Sequence, residues 1–131
     1  MRIFKGLIFR QQLNVAEQAA LVQDFTHYKT TRNLPDTFGR DVPFDHPHTL
    51  PLAIQEKVFH LHLAPANALW NSKTPQYSRT SDDHLIYCQG ALEEECFLLI
   101  SILRPDAHDQ ARDNNVMHKL ARAAELFRMK Y

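Results

Sequence analysis

The chain has 131 residues, enough for one domain spanning residues 1–131, and a domain of this length buries roughly two thirds of its unfolded surface. Hydrophobic residues make up 44 % and charged residues 23 %, which excludes a disordered chain and a fibrous repeat. The formal net charge of zero excludes an overall basic surface for gripping nucleic acid, although the C-terminal stretch leaves a local basic face open. The apolar N-terminal stretch is too short to span a membrane and has no small-residue cleavage site, so we expect a cytoplasmic protein.

The two cysteines, Cys88 and Cys96, lie on two neighbouring apolar runs. In a reducing compartment we expect them to be free thiols that act as small core hydrophobes. Two cysteines are too few for a sulfur-rich structural zinc site, and we expect neither a bound metal nor another cofactor.

The N-terminal part predicts a strand followed by a helix. Residues 3–9 are apolar and rich in β-branched and aromatic side chains, which favours a first strand. Asn14 can cap the following helix with Glu17 as its reciprocal partner, and the helix must end by Leu34 because a proline follows. The apolar positions of that helix recur at helical spacing and predict its buried face: Leu21, Val22, Phe25 and Tyr28.

Residues 35–56 are interrupted by Pro43, Pro47 and Pro51, so we expect an ordered loop or short turns here. A connection of this length is uncommon in a compact domain unless it binds something. Two interpretations are open: a binding loop, or a loop that wraps the sheet. The residues that favour binding are Phe38, Arg40, Asp41, Phe44, His46 and His48.

Residues 58–64 alternate between apolar and polar side chains, which predicts a half-buried strand with His60 and His62 on its more polar face. These histidines fit a solvated or hydrogen-bonded face, a substrate groove, or half of a metal site. The irregular segment that follows, residues 65–83, contains Trp70, which we expect to anchor the loop. It also contains Arg79, which suits either solvent or a phosphate.

The apolar runs at residues 84–89 and 96–103 flank an acidic turn and predict a β-hairpin. The second run is apolar on both faces, which predicts a central strand. A group of cationic, acidic and acid–base side chains follows this strand: Arg104, His108, Arg112, Asp113 and His118. We expect the functional site where the central strand ends.

An amphipathic helix is predicted at the C-terminus, with Asp113 or Asn114 as its N-cap. Its apolar stripe is Val116, Met117, Leu120, Ala124 and Phe127. Two interpretations of this N-terminus are open. Its free backbone N–H groups beside Arg112 could bind an anion, or the N-cap side chain only accepts hydrogen bonds from those N–H groups.

Four strings resemble the YafO family of bacterial type II toxins over nearly the whole chain: LPDTFGRD, HLHLA, SRTSDDHLIYCQG and HDQARDNNVMHKLARAAELFRMKY. The resemblance implies a ribosome-dependent mRNA endonuclease that arrests translation and is neutralised by a cognate antitoxin. The order of elements also resembles the α+β, RelE-like microbial ribonuclease fold. That fold implies an N-terminal strand and helix, a mostly antiparallel sheet of about four strands and a C-terminal amphipathic helix. The neutral charge departs from most RelE-type toxins.

In that wider group the active site lies on the sheet and just after its last strand, which by position implies His84, Arg104 and His108. The family string ARDNNVMH adds Arg112, Asp113 and His118. The implied reaction is a metal-independent attack of the ribose 2′-OH on the adjacent phosphate. In that reaction His84 and His108 would transfer protons, and Arg104 and Arg112 would hold the phosphate. The expected RNA contacts are His60, His62, Arg79, Lys119 and Arg122.

The expected partners are the ribosome, mRNA and a cognate antitoxin; no membrane is expected, and the oligomeric state is not predicted. An acidic amphipathic segment of the antitoxin could bury apolar surface on Phe127 and Tyr131 and pair with the charge of Arg128. The alternative is that the two aromatic residues only complete the core. The alternative function is a ribosome-binding inhibitor that blocks translation without cutting RNA. A third is a histidine-based metal hydrolase.

Overall fold

The computed structural model describes residues 1–65 and 67–131, which form an α+β fold around one mixed sheet. Its strands are β1 (Arg2–Lys5), β2 (Phe38–Pro43), β3 (Phe59–Leu63), β4 (His84–Gln89) and β5 (Cys96–Leu103). The helices are α1 (Leu7–Gln12), α2 (Val15–Thr31), α3 (Pro51–Gln55), α4 (Ala107–Gln110) and α5 (Asn114–Lys130), with a 3₁₀ turn at Gln76–Ser78. The spatial order of the strands is β1-β5-β4-β3-β2.

The β4–β5 hairpin is the centre of the sheet, as the sequence predicts. All eight residues of β5 are buried, because β5 pairs antiparallel with β4 on one side and parallel with β1 on the other. The expected sheet of about four mostly antiparallel strands is confirmed in part: three of the four pairings are antiparallel, but the sheet has five strands and is mixed because β1 pairs in parallel.

Helices cover both faces of the sheet. On one face, Phe25 of α2 and Phe9 of α1 pack against Leu61 and Leu85 of the central strands. On the other face, Met117 and Leu120 of α5 pack in the cluster that contains Ile86. The buried stripes predicted for the two long helices are thus confirmed, apart from a few half-buried positions.

The predicted strand at residues 3–9 is wrong in its second half. β1 ends at Lys5, and Gly6 is the N-cap of α1. Gly6 lies close to β5, since a Cβ on it would be 3.1 Å from the carbonyl oxygen of Leu99. The chain turns helical there and still buries Phe9 within α1 and Leu13 at its C-cap.

The prediction of only a loop or short turns at residues 35–56 is also wrong, because this segment contains β2 and α3. β2 is an edge strand that pairs only with β3, and an edge strand tolerates Pro43. Pro51 occupies the start of α3, where a missing N–H costs no helix hydrogen bond.

The predicted helix caps are confirmed. Asn14 accepts a hydrogen bond from the backbone N–H of Glu17 at 2.8 Å, and the Glu17 side chain accepts from that of Asn14 at 3.0 Å. Asp113 is the N-cap of α5. Cys88 and Cys96 are free and buried, as expected. Among the helices of the described residues, none has the length and hydrophobicity needed to cross a bilayer.

Candidate active site

Four histidines lie together beside the ends of β3 and β4, and we call His60, His62, His84 and His108 the histidine cluster. His62 and His84 are cross-strand partners whose ring centroids are 4.0 Å apart. The His84 ring is 4.9 Å from that of His108 and 5.2 Å from that of His60. The structure therefore brings together His84 and His108, the predicted proton-transfer pair, with the two histidines of β3.

The strand pattern explains the positions on β3 and β4. Alternation points Leu61 into the α2 side of the sheet and His60 and His62 to the other side. The antiparallel register then places His84 opposite His62. Of the predicted solvated or hydrogen-bonded face, His62 fits the hydrogen-bonded form, because it is only 1 % exposed and accepts from the Ser81 N–H.

Asp82 fixes His108 in the cluster. Its carboxylate accepts hydrogen bonds from the backbone N–H of His108 at 3.0 Å and from the ring Nδ1 at 2.6 Å. These bonds lower the pKa of Asp82, with the backbone bond as the largest cause. An ionised carboxylate only accepts hydrogen bonds, so Nδ1 of His108 must carry a proton. The lone pair of the neutral ring is therefore on Nε2. The His108 side chain is 59 % exposed, so that lone pair can reach a ligand.

Ser81 sets the tautomers of the two buried histidines. The Nε2–H of His84 donates to the Ser81 carbonyl at 2.8 Å, which leaves the His84 lone pair on Nδ1. The Ser81 backbone N–H donates to Nδ1 of His62 at 2.9 Å, so neutral His62 carries its proton on Nε2. Within the described part of the chain, His84 Nδ1 and His62 Nε2 are buried without a hydrogen-bond partner.

Burial, together with the neighbouring histidines, lowers the pKa of His60 to about 4 and that of His62 to about 3. Burial also lowers the pKa of His84, although its bond to Ser81 opposes the shift. These three rings are therefore neutral at neutral pH, and they form an uncharged group next to the exposed His108.

The positive charge of Arg40 is the smallest of the named causes that lower the pKa of His60 and His62. Its guanidinium lies 3.9 Å from the ring centroid of Tyr77 and donates through Nε to the Tyr77 carbonyl at 2.7 Å. Tyr77 is 67 % exposed, so Arg40 and Tyr77 form a cationic and aromatic pair at the surface.

Sequence reasoning did not assign Ser81, Asp82, Arg40 or Tyr77 to the site. Asp82 had a visible signal, because it precedes His84 in the string SDDHLIYCQG. Arg40 was among the residues that favour a binding loop. The role of Ser81 depends on backbone atoms, which no residue type reveals.

The other predicted catalytic residues lie outside the cluster contacts. Arg104 is exposed directly after β5, and Arg112 is exposed and pairs with Asp109 at 3.6 Å. The Asp113 carboxylate accepts from the backbone N–H of Asn115 at 2.8 Å, which is the capping role that the sequence left open.

A shallow groove between α1 and α5 contains three more of the predicted residues. His118, Lys119 and Arg122 line it together with Leu7 and Leu126. None of the four clustered histidines lines this groove. The structure thus separates His118 from His84 and His108, and it separates Lys119 and Arg122 from His60 and His62.

Arg79 is buried with only 1 % of its surface exposed. Its five N–H groups donate to five backbone carbonyls, those of Pro35, Phe38, Asn71, Ser72 and Thr74. Gly39 permits this arrangement, since a Cβ there would lie 2.3 Å from the Arg79 carbonyl oxygen. No N–H of the guanidinium is left for a phosphate, so we assign Arg79 to loop structure instead of RNA binding.

Most of the residues predicted to bind the antitoxin pack against the rest of the domain. Phe127 is buried and packs on Phe4 with ring centroids 5.5 Å apart, and Tyr131 packs on Phe127 at 4.9 Å. Arg128 is largely covered and lies 3.8 Å from Glu56. The interpretation that the aromatic residues complete the core fits these contacts.

One group among the described residues has the composition and spacing to hold a metal ion. His62, His84 and His108 offer nitrogen atoms that all lie within 4.8 Å of one another. The sequence alone did not predict such a site, because it did not assign a third ligand to the His-x-His pair of β3.

Comparison with known proteins supports the resemblance seen in the sequence. The family description "Toxin YafO, type II toxin-antitoxin system" matches residues 26–129. The chain is 49 % identical, over 132 aligned positions and 100 % of both chains, to the "mRNA interferase toxin YafO" of Escherichia coli (strain K12). No solved structure matches, so the RelE-like fold stays a prediction.

A chain matched in this way is the toxin of a type II toxin–antitoxin system, and its class implies a cognate antitoxin as partner. It belongs to the YafO toxin family.

Proposed function

We propose that this toxin is an mRNA interferase, an endoribonuclease that cuts mRNA on the ribosome by metal-independent attack of a ribose 2′-OH. The observation that carries the proposal is the exposed His108 ring held on Asp82 at 2.6 Å. A relative 49 % identical over its full length is named for the same activity. An exposed imidazole with a carboxylate on its other nitrogen is the arrangement that general acid–base catalysis needs.

The first step uses the free Nε2 of His108. Nε2 takes the proton of the 2′-OH as the 2′-oxygen bonds to the adjacent phosphorus. The imidazolium that results is stabilised by the carboxylate of Asp82. The bond from phosphorus to the 5′-oxygen then breaks on the side opposite the 2′-oxygen, so the 5′-oxygen takes a proton from water and the imidazolium gives its proton to solvent. The products are a 2′,3′-cyclic phosphate and a 5′-OH end.

His84, the other member of the predicted proton-transfer pair, has a different role in this proposal. His84 is 1 % exposed, and its ring meets that of His108 nearly edge-on, at 81°. We infer that His84 positions the His108 ring and does not touch the RNA. His60 and His62 are also neutral and lie on the same side of the sheet as His84.

The extra negative charge of the phosphorane needs a cation. The charge of Arg40 acts on His60 and His62, and we add Arg40 to Arg104 and Arg112, which the resemblance suggested. The exposed Tyr77 ring beside Arg40 offers a stacking surface for an unpaired base.

The neutral net charge agrees with dependence on the ribosome. A protein without an overall basic surface gains little non-specific affinity for free RNA. A ribosome that supplies the docking surface and presents an unpaired codon removes the need for that affinity.

The test is incubation of purified toxin with translating ribosomes and message, followed by mapping of the RNA ends. We expect cleavage by the wild type and by His27→Ala, a control on the exposed surface of α2. Cleavage by His108→Ala should fall about 100-fold or more. Translation arrest with intact message would instead favour the non-catalytic inhibitor.

A further inference from the structure

Two histidines of the cluster are oriented as metal ligands usually are. A ligating histidine almost always donates its other ring N–H to a carboxylate or a backbone carbonyl. His108 donates to the Asp82 carboxylate, and His84 donates to the Ser81 carbonyl. Each therefore keeps a lone pair free, on Nε2 of His108 and on Nδ1 of His84.

The burial of the cluster points to a ligand as well. His84 Nδ1 and His62 Nε2 are buried polar atoms that make no hydrogen bond to any of residues 1–65 and 67–131. Their residues are each only 1 % exposed. Buried polar atoms are usually satisfied, and unsatisfied ones cost free energy, so two such atoms on neighbouring rings need an explanation.

The spacing is somewhat wider than a closed metal site requires. Zinc binds imidazole nitrogen at about 2.0–2.1 Å, so two tetrahedral ligands lie about 3.3 Å apart. The three ligand atoms lie within 4.8 Å of one another, and they must draw together by as much as about 1.5 Å. His108 is on the short, exposed α4, where its ring has room for this movement.

His62 is the weakest of the three ligands. Its Nδ1 already accepts the Ser81 N–H, so its Nε2 carries a proton. Binding through His62 requires its ring to turn or its proton to leave. His84 and His108 are consequently the two ligands that determine affinity.

From this arrangement we infer that His62, His84 and His108 bind a divalent transition-metal ion such as Zn²⁺, which switches the toxin off. Imidazole nitrogen suits zinc, copper, nickel and iron better than magnesium or calcium. A metal on Nε2 of His108 occupies the lone pair that takes the 2′-OH proton. The silencing half of this inference rests on the proposed function, whereas the binding half does not.

Binding is measured by titrating Zn²⁺ into the full chain in a calorimeter, with Co²⁺ absorption as a second readout of nitrogen ligation. His46 and His48 form a separate surface pair with ring centroids 5.0 Å apart, so they are replaced by alanine in every sample. We expect one zinc per chain in this background. The control His118→Ala should bind zinc equally well, because His118 lies in the other groove.

Two variants test the assignment of ligands. His108→Ala should lose essentially all tight binding. Removal of this exposed side chain leaves no core cavity, and circular dichroism checks that the variant is folded. Asp82→Asn should weaken binding about 10- to 100-fold, as loss of an outer hydrogen-bond partner typically does. No zinc binding, or binding unchanged in His108→Ala, overturns the inference.

The silencing half is tested with toxin that is loaded with Zn²⁺, freed of excess metal by gel filtration and added to translating ribosomes. We expect loaded toxin to cut message at least tenfold more slowly than metal-free toxin, with recovery after a zinc chelator. Active metal-free toxin that never binds zinc defeats this inference and leaves the proposed function standing. Toxin that binds zinc and cuts only when loaded defeats both the silencing and the metal-independent mechanism.

Discussion

Replacing Arg79 by methionine tests whether the buried guanidinium holds the loop that carries the site. Arg79 lies two residues before Ser81 and three before Asp82, which orient the histidine cluster. Methionine keeps much of the apolar volume but removes all five N–H donors. Five backbone carbonyls then lose their partner, the Phe38 carbonyl in a buried bond and the other four in partly buried ones.

The expected cost follows from these bonds. A hydrogen bond to a charged group contributes about 1.5–3 kcal/mol, and contributions within one network are not additive. Some of the carbonyls lie near the surface and regain water. We therefore expect a loss of about 3–5 kcal/mol in the free energy of unfolding, near the upper end for a single substitution. For a domain of this size, that loss lowers Tm by on the order of 10–20 °C.

The assay is urea and thermal unfolding followed by circular dichroism, with Arg112→Met as the matched control. Arg112 has an 81 % exposed side chain, so its replacement should change stability by less than about 0.5 kcal/mol. A loss below about 1 kcal/mol for Arg79→Met would refute the structural role. Normal stability combined with lost RNA cleavage would instead return Arg79 to the RNA interface.

Three further substitutions probe the site. His108→Ala should abolish growth arrest while leaving Tm and antitoxin binding unchanged, because the side chain is exposed; a shifted Tm would count against this placement. Asp82→Asn should slow cleavage about 10- to 100-fold in ribosome assays without loss of folding, and wild-type rates would remove Asp82 from the mechanism. Arg40→Ala should slow cleavage about 10- to 100-fold, whereas Arg40→Lys should recover part of the rate; equal rates for both would contradict a charge on the phosphate.

The sequence predicts the elements whose signals are local. The capping box at Asn14 and Glu17, the N-cap Asp113 and the strand alternation around Leu61 all appear in the structure. Each depends on neighbours within a few residues, so the spacing of side chains is sufficient. The hairpin is equally visible, because two apolar runs flank a short polar turn.

The sequence does not predict pairing between distant segments. β1 lies beside β5, more than ninety residues away, and no local pattern distinguishes that parallel partner from an antiparallel one. β2 was missed because Pro43 argues against a strand, yet an edge position needs hydrogen bonds on one side only.

The candidate site could be predicted only in part, because its geometry also depends on contacts between distant residues. His84 and His108 were identified, but their arrangement depends on Asp82 and on the backbone of Ser81. Arg79 shows the opposite case, since a lone arginine in a polar loop gives no sign that five carbonyls surround it.

The central claim is that the RNA supplies its own nucleophile, and a message with one 2′-deoxynucleotide on the 5′ side of the mapped cleavage site tests it most directly. Metal-free toxin and translating ribosomes are incubated with this message and with the all-ribose message, and the products are mapped. We predict that the all-ribose message is cut with a 2′,3′-cyclic phosphate end and that the substituted message is not cut at that position. Cleavage of both messages at the same position and rate would mean that water attacks the phosphate, and it would contradict the proposed mechanism.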